Sequence, residues 1–288
     1  MNRTQIYNLA GAVVRFWRGL HSCNRIAAYS LVFIFLLYVI AIFAPLIAPY
    51  DPNELNLKEI FLPPSSKHLF GTDRLGRDVF SRIIWGTRVS LTVGFVVMGI
   101  QVGMGIILGA ISGYYGGIID TVIMRAVDLF LMLPGFFLLL LVVAFFGRNI
   151  YLIMVIMAII SWPGTARMMR AQVLSVSKRE FVIAAKATGA SDKWIIFKHV
   201  LPNSIQPIIV TAFLGIGGYI MMEAGLSFLG LGDPLVISWG TMISEATLYL
   251  RTAWWLAFFP GLALTSTALA FNLFGDGLND YLNPRGRR

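Results

Sequence analysis

The chain has 288 residues, of which 57% are hydrophobic and 13% are charged, and its formal net charge is +9. A soluble domain usually carries about a quarter charged residues, so this composition excludes an ordinary globular core and indicates a membrane-embedded protein. The basic residues fall in tails and loops between apolar runs, which argues against nucleic-acid binding. One cysteine, Cys23, and three histidines provide neither a disulfide framework within the chain nor a metal-ligand cluster.

Six apolar runs approach or exceed the about 20 residues that a bilayer-spanning helix needs. They cover residues 26–48, 90–114, 119–146, 150–169, 205–231 and 253–274. The sequence therefore predicts an all-α membrane protein with six transmembrane helices, in which a tail (1–25) precedes a single transmembrane domain (26–288). Pro134, Pro163 and Pro260, each followed by glycine, predict breaks or kinks in the third, fourth and sixth spans.

The distribution of lysine and arginine predicts the orientation of the chain. The N-terminal tail, the connection between the fourth and fifth spans and the C-terminal tail are all rich in these residues. Six spans put these three regions on one side, which the positive-inside rule identifies as the cytoplasm, so both termini are expected there. Residues 49–88 would then lie outside, although they hold six bases against five acids. Their proline-rich part, 51–66, is expected to be irregular. Residues 79–84 are expected to form either a short surface helix or the start of the second span.

Small and charged residues inside the spans leave several alternatives open. Glycines at 105, 109, 113 and 117 share one helical face, which predicts close approach of another helix from this chain or from another subunit. Arg125 and Asp128 are spaced for a pair within one helix. Glu223, the one acid of the fifth span, is expected either to lie on a translocation path together with Ser227 or to make a structural hydrogen bond.

The connection between the fourth and fifth spans, residues 171–203, is too long for a tight helical hairpin. Residues 181, 184, 185 and 188 have helical spacing, and Gly189 stands where a left-handed residue would end that helix. Ser191 is suited to cap a second helix with Asp192 in its first turn. That helix would carry Trp194, Phe197 and Leu201 on one face and end at Pro202. The pattern predicts a helix, a glycine turn and a helix, with small residues and exposed aromatic anchors for a cytoplasmic partner.

This stretch, AAKATGASDKWIIFKHVLP, resembles the cytoplasmic EAA loop of permease subunits of binding-protein-dependent ABC importers. The matching residues are Ala184, Ala185, Gly189, Leu201 and Pro202, whereas Ile183 replaces the usual glutamate and His199 a common isoleucine. Three further regions resemble the dipeptide, oligopeptide and nickel importer permeases that carry GTDxxGRD. They are FGTDRLGRDVFSRIIWGTRVSL (Phe70–Leu91), EAGLSFLGLG (Glu223–Gly232) with SWG (Ser238–Gly240), and AWWLAFFPGLALTSTALAFNLFGDGLND (Ala253–Asp280).

The resemblance implies a type I ABC importer permease fold in a prokaryotic cytoplasmic membrane. It implies a second, similar permease as the other half of the pore, two ATPase subunits that bind ATP and magnesium, and an external substrate-binding protein. Di- and oligopeptides are the commonest cargo of this group, and nickel, glutathione and sugars also occur. The residues implied to couple to an ATPase are Glu180, Ala184, Ala185, Gly189, Ala190, Ser191, Asp192, Leu201 and Pro202.

The chain itself is not expected to be an enzyme or to hold a cofactor. It has no P-loop sequence, GxxxxGK followed by Ser or Thr, with which to cradle the phosphates of ATP. No nucleophile–base pair suggests a catalytic site. The competing interpretations are a stand-alone ion-coupled transporter or channel, or a structural subunit of a membrane enzyme. An ion-coupled transporter would be expected to show inverted repeats and several membrane carboxylates, and a structural subunit would have no need of the glycine turn.

Overall fold

The computed structural model describes residues 17–283, and the regular structure in that range is helical apart from one isolated β-bridge between Thr72 and Asp78. Residues 17–23 are helical. The helices that follow are α1 (Arg25–Ile42), α2 (Ala44–Ile47), α3 (Val79–Tyr115), α4 (Gly117–Met132), α5 (Gly135–Phe146), α6 (Ile150–Ser177), α7 (Glu180–Ala187), α8 (Asp192–Ile195), α9 (Leu201–Ser204), α10 (Gln206–Phe228), α11 (Trp239–Ala246) and α12 (Trp255–Leu282). A π-helical turn, Ile196–Val200, joins α8 to α9, and a 3₁₀ turn, Thr247–Tyr249, follows α11.

Five of these helices, α1, α3, α6, α10 and α12, are long and apolar enough to cross a membrane. The third predicted span, 119–146, is a broken one, because α4 and α5 meet at 82° across Leu133 and Pro134. Pro134 has no N–H to continue the ladder and instead stands at the N-cap of α5. Counting the bent pair as one span gives six, so the predicted all-α membrane fold is confirmed. Pro163 and Pro260 lie inside α6 and α12, which continue through them.

The second span is longer than the apolar run that predicted it. α3 has 37 residues and begins at Val79, so residues 79–84 are the start of the span and not a separate surface helix. Its length of about 55 Å exceeds the about 30 Å of a hydrocarbon core, so α3 extends beyond the membrane. Asp78 caps its first turn by accepting a hydrogen bond from the backbone N–H of Ser81 at 2.8 Å.

The glycine face of α3 packs against α6 within this chain. A Cβ added at Gly105 would lie 2.5 Å from Cβ of Thr165, and one added at Gly113 would lie 2.8 Å from the carbonyl oxygen of Arg170. Gly109 is likewise against the α6 backbone. The sequence allowed contact with a helix of this chain or of another subunit. The structure shows that these three glycines contact a helix of this chain. Gly117 has open space around it and instead takes a positive φ of 57° where α3 gives way to α4.

The remaining long helices complete one bundle. α10 packs against α12 and α3, and α12 packs against α1. The fully buried side chains of Trp239 and Phe271 lie in the core cluster that these helices share with α11. Large apolar side chains of α1, α4 and α5 point outward, as expected for a surface that contacts lipid or other subunits, and they include Tyr29, Phe35, Val122, Leu129, Phe137 and Phe145.

One predicted ion pair is wrong. The carboxylate of Asp128 accepts a hydrogen bond from Arg167 at 2.7 Å and not from Arg125, its neighbour in α4. The reason is tertiary packing, because α6 lies alongside α4 and brings Arg167 within reach. A second cross-helix pair has the same origin, since Arg170 of α6 holds Asp120 of α4 with two hydrogen bonds of 2.5 Å.

The segment between α2 and α3, residues 48–78, is irregular as predicted for 51–66, but it is internally bonded. His68 is buried, with Nδ1 2.9 Å from Asp78 Oδ1 and Nε2 3.3 Å from Glu59 Oε2. Lys67 also hydrogen-bonds Glu59, and this contact above all holds the pKa of the Glu59 carboxyl below its usual range. The segment is thus fixed onto the first turn of α3.

Candidate functional site

The connection between α6 and α10 folds into a compact element, which we call the elbow (residues 180–204). Its first helix, α7, ends at Ala187 with Thr188 as its C-cap, and Gly189 follows with a φ of +79°. The Gly189 N–H donates to the Lys186 carbonyl at 3.0 Å and the Ala190 N–H to the Ala185 carbonyl at 3.2 Å. These two bonds define a Schellman motif, in which a glycine takes the left-handed position. The predicted glycine turn is confirmed.

The second half of the elbow begins at the predicted cap. The Ser191 hydroxyl oxygen accepts a hydrogen bond from the Trp194 N–H at 3.4 Å, and Asp192 occupies the first turn of α8. The serine oxygen pairs with an N–H of the first turn that has no partner within the helix, and the carboxylate of Asp192 interacts favourably with the helix N-terminus.

The prediction that Pro202 ends the second helix is wrong. A π turn from Ile196 to Val200 shifts the hydrogen bonding, with the Leu201 N–H donating to the Ile196 carbonyl. Pro202 then sits in the first turn of α9, where its missing N–H is tolerated. The side-chain amide of Asn203 donates to the His199 carbonyl at 2.7 Å and so satisfies a group near the proline.

The elbow is anchored to the bundle by three buried valine and isoleucine side chains. Val182, Ile195 and Val200 are fully buried, and they pack in one cluster with Val173 of α6 and Ile208 of α10. Burial of such side chains contributes about 1.5–3 kcal/mol each. The elbow is therefore a folded part of the helical bundle.

The outer surface of the elbow carries large apolar side chains beside exposed charged ones. Phe197 and Ile183 are 71% and 56% exposed, and Trp194 is 49% exposed. His199, one of the two residues that depart from the EAA pattern, joins the two helices, because its ring lies 4.7 Å from that of Trp194 and 5.8 Å from that of Phe181.

The sequence-predicted coupling residues all lie on the elbow, at different depths. Ala185, Ala190 and Leu201 are half-buried against the anchoring cluster. The other six face outward and are Glu180, Ala184, Gly189, Ser191, Asp192 and Pro202.

Tyr114, at the end of α3, is a contact that sequence reasoning missed. Its hydroxyl donates to Asp192 Oδ1 at 2.6 Å, and Lys186 Nζ lies 4.8 Å from the centre of its ring. One side chain thus contacts both helices of the elbow. A tyrosine at the end of an apolar run beside glycines gives no sign of this contact, because Asp192 is 78 residues away in the chain.

Glu223 lies in α10 and is buried. Its Oε1 accepts hydrogen bonds from the Ser227 hydroxyl at 2.7 Å and the Ser238 hydroxyl at 2.9 Å. Oε2 has no hydrogen-bond partner among the described residues. The two motif stretches EAGLSFLGLG and SWG are therefore in direct contact through this carboxylate. This geometry fits the alternative in which Glu223 makes a structural hydrogen bond. Ser227 also borders a cavity.

That cavity has a volume of about 400 Å³ and opens at the end of the bundle where α3 begins. We call it the arginine cavity; it is lined by Arg74, Arg77, Arg82, Arg148, Ser227 and Glu245, among others. Asp73 of the GTDRLGRD stretch accepts from Arg77 Nε and Arg82 Nη1, each at 2.6 Å. Arg77 also donates to Glu245 of α11 at 2.9 Å. Sequence reasoning noted the arginines of this stretch but did not predict a cavity.

No group of three or more His, Cys, Asp or Glu side chains within residues 17–283 is arranged to hold a metal ion.

Comparisons with known proteins show which families this chain matches and which solved structure has a similar fold. Residues 105–288 match the family described as "Binding-protein-dependent transport system inner membrane component", and residues 14–64 match "N-terminal TM domain of oligopeptide transport permease C". A chain of the inward-facing MetNI methionine ABC transporter has a similar fold, with a TM-score of 0.57 at 17% identity, over 68% of this chain and 93% of that one.

Curated relatives match over nearly the whole chain. The dipeptide transport system permease protein DppC of Haemophilus influenzae is 41% identical and covers 91% of both chains. The probable D,D-dipeptide transport system permease protein DdpC of Escherichia coli is 42% identical over 89% of this chain and 86% of its own. DppC of Bacillus subtilis is 40% identical over 94% and 85%. The resemblance that the motifs indicated is confirmed, and the chain belongs to the permease family that forms the inner-membrane component of binding-protein-dependent transport systems.

Proposed function

We propose that this chain forms one half of the translocation pore of an ATP-driven importer of di- and oligopeptides. The observation that carries the proposal is its similarity, at 40–42% identity over about nine-tenths of its length, to permeases named for dipeptide transport. A binding-protein-dependent system also contains a substrate-binding protein and an ATPase. The finer composition that we propose is one further, homologous permease, two ATP-binding subunits and one external binding protein.

The elbow is proposed as the contact with an ATPase subunit. Its outer surface carries exposed Trp194 and Phe197, which are the residue types that anchor protein interfaces. Its inner side is tied to α3, α6 and α10 by Tyr114 and by the buried cluster. Movement of an ATPase against this surface would therefore be passed to three spanning helices, which is the kind of rigid-body change that alternating access requires.

The proposed orientation puts the elbow and both termini in the cytoplasm and residues 49–88, which include the start of α3, outside. The two ends of α3 support this arrangement, because Arg82 borders the arginine cavity whereas Tyr114 contacts the elbow. The 32 residue-to-residue steps from Arg82 to Tyr114 correspond to about 48 Å of helix, more than the thickness of the hydrocarbon core. The same arrangement underlies the proposed division of the chain into a tail (1–25) and a transmembrane domain (26–288) with an elbow-containing loop (171–203). Residues 1–16 and 284–288 lie outside the described residues.

Co-purification and transport together test the proposal. A tagged chain should bring down an ATPase subunit and a second permease, and the complex in proteoliposomes should take up a labelled dipeptide only with ATP inside and binding protein outside. An ATPase mutated at its catalytic glutamate is the control. Uptake that persists with that inactive ATPase would instead support an ion-coupled transporter.

A further inference from the structure

The arginine cavity has an excess of positive charge. Four arginines border it, at positions 74, 77, 82 and 148, whereas the carboxylates in contact with them are those of Asp73 and Glu245. Arg77 and Arg82 share both carboxylates. Among the arginines that border the cavity and their ion-pair partners, four positive charges therefore stand against two negative ones.

The two remaining arginines are the ones that face solvent. Arg74 forms no ion pair with another residue in the range 17–283, and Arg148 is held by one hydrogen bond, from Nη1 to the Gly230 carbonyl at 2.8 Å. Both guanidinium groups keep donors available for a ligand. Because Arg148 precedes α6 and Arg74 precedes α3, they approach the cavity from different parts of the chain.

The third observation is an unmet donor on a buried side chain. Arg82 is 3% exposed, and its Nε has no hydrogen-bond partner among the described residues although its Nη1 and Nη2 are both paired. A buried polar group without a partner costs stability, so such groups are usually satisfied in the working state of a protein. A cavity with an excess positive charge and an unsatisfied guanidinium donor favours an anionic ligand.

We propose that the arginine cavity binds the terminal carboxylate of a peptide cargo as the cargo enters the permease, and this inference rests on the proposed function above. Guanidinium groups match the geometry of a carboxylate, and their hydrogen bonds to it are among the strong ones in proteins. The volume of about 400 Å³ lies within the 300–1,000 Å³ range of small-molecule sites, so it can accept the end of a short peptide.

The position of the cavity favours cargo over an acidic surface of a protein partner. It is concave and lined by four parts of the chain, namely Asn53, the GTDRLGRD stretch with the first turn of α3, Arg148 just before α6, and the segment from the end of α10 into α11. Ser227, on its wall, is bonded to the buried Glu223 of α10, so the cavity reaches the end of a spanning helix. A ligand held there is already at the entrance to the bundle.

The test compares the double variant Arg74→Gln/Arg148→Gln with Arg251→Gln, which alters another exposed arginine, located between α11 and α12 and outside the cavity. Both are made in the complete transporter, reconstituted in proteoliposomes with saturating binding protein loaded with dialanine. Uptake of dialanine and ATP hydrolysis are measured in the same preparation. We expect the double variant to lose uptake by about tenfold while ATP hydrolysis stays within about twofold of wild type, so that peptide moved per ATP falls. Arg251→Gln should match wild type in both.

Unchanged uptake in the double variant would overturn the proposal. A parallel loss of uptake and ATP hydrolysis, with a raised KM for the binding protein, would overturn it in favour of a docking site for that protein. If the double variant does not assemble, Arg148→Gln alone carries the test, since this side chain is exposed and makes one hydrogen bond, and the same loss of peptide moved per ATP is expected. Dialanine uptake by the wild-type complex is measured before that of any variant. Its absence would refute the proposed function and not the proposed carboxylate site.

Discussion

Tyr114 donates its hydroxyl hydrogen to the Asp192 carboxylate at 2.6 Å, which bonds the end of α3 to the second helix of the elbow. Lys186 of the first elbow helix lies over the same ring. α3 is one continuous helix of 37 residues, and its other end forms a wall of the arginine cavity. A single rigid element therefore joins the surface proposed to contact an ATPase to the site proposed to receive cargo.

Tyr114→Phe should weaken the link between the ATPase and the pore. The change removes the hydrogen bond to a charged acceptor, worth about 1.5–3 kcal/mol, and keeps the ring over which Lys186 lies. We expect ATP hydrolysis stimulated by loaded binding protein to fall several-fold, with assembly retained. Tyr115→Phe is the matched control, because its neighbouring ring is exposed. Equal behaviour of the two variants would show that the Tyr114 hydroxyl has no role in coupling.

Gly189→Val should disrupt the elbow through the backbone alone. Nothing lies within 4 Å of a Cβ added there, so the cost comes from the φ of +79°, about 1–2 kcal/mol for an ordinary residue and more for a β-branched one. We expect loss of ATPase co-purification and of uptake, with membrane insertion intact. Gly189→Asn, which tolerates this conformation, should retain both activities. Normal uptake by Gly189→Val would contradict the proposed role of the turn.

Gly109→Ala should separate α3 from α6. The added Cβ would meet the carbonyl oxygen of Ala166 and would lie 2.7 Å from Cβ of Met169, so the helices must move apart. We expect a loss of stability of about 1–3 kcal/mol, as for other overpacked sites, seen as a lower melting temperature of the purified protein. Gly99→Ala lies in the same helix with open space around it and should melt like the parent or slightly higher. Identical melting temperatures for the two variants would refute the close contact.

Glu223→Gln and Glu223→Ala distinguish a structural role from a charge on the transport path. Glutamine keeps a carbonyl oxygen for the hydroxyls of Ser227 and Ser238, whereas alanine leaves both donors unpaired in a buried site, at a cost of about 1–3 kcal/mol. We expect Glu223→Gln to keep near-normal stability and uptake and Glu223→Ala to lose stability. A stable Glu223→Gln protein without uptake would show that the charge itself takes part in transport.

Local signals in the sequence were sufficient for the spans and for the elbow turn. Apolar runs of about 20 residues mark a membrane helix wherever they occur, and Gly189 with Ser191 fixes a helix end and a helix start within three residues. The prediction for Pro202 was wrong because a π turn precedes this residue. Such turns are rare, and no residue pattern in the sequence indicated one.

Contacts between distant residues were not predictable in this way. Asp128 pairs with Arg167 in another helix, and Tyr114 meets a residue 78 positions along the chain. The arginine cavity brings Arg74 and Arg148 together with Glu245, three positions that share no spacing rule. Such sites depend on which helices become neighbours in the bundle. The choice of neighbours is set by the fit of surfaces such as the glycine face of α3.

The 82° break between α4 and α5 has a consequence for the surroundings of the permease. Hydrocarbon offers no hydrogen bonds, so backbone that leaves the helix at membrane depth must be covered by protein or by water. The side chains at the break are nonetheless uncovered in the single chain, with Met132 78% and Leu133 50% exposed. Where the break lies at membrane depth, we therefore expect a neighbouring subunit or an aqueous passage, and not acyl chains, to cover this flank in the assembled transporter.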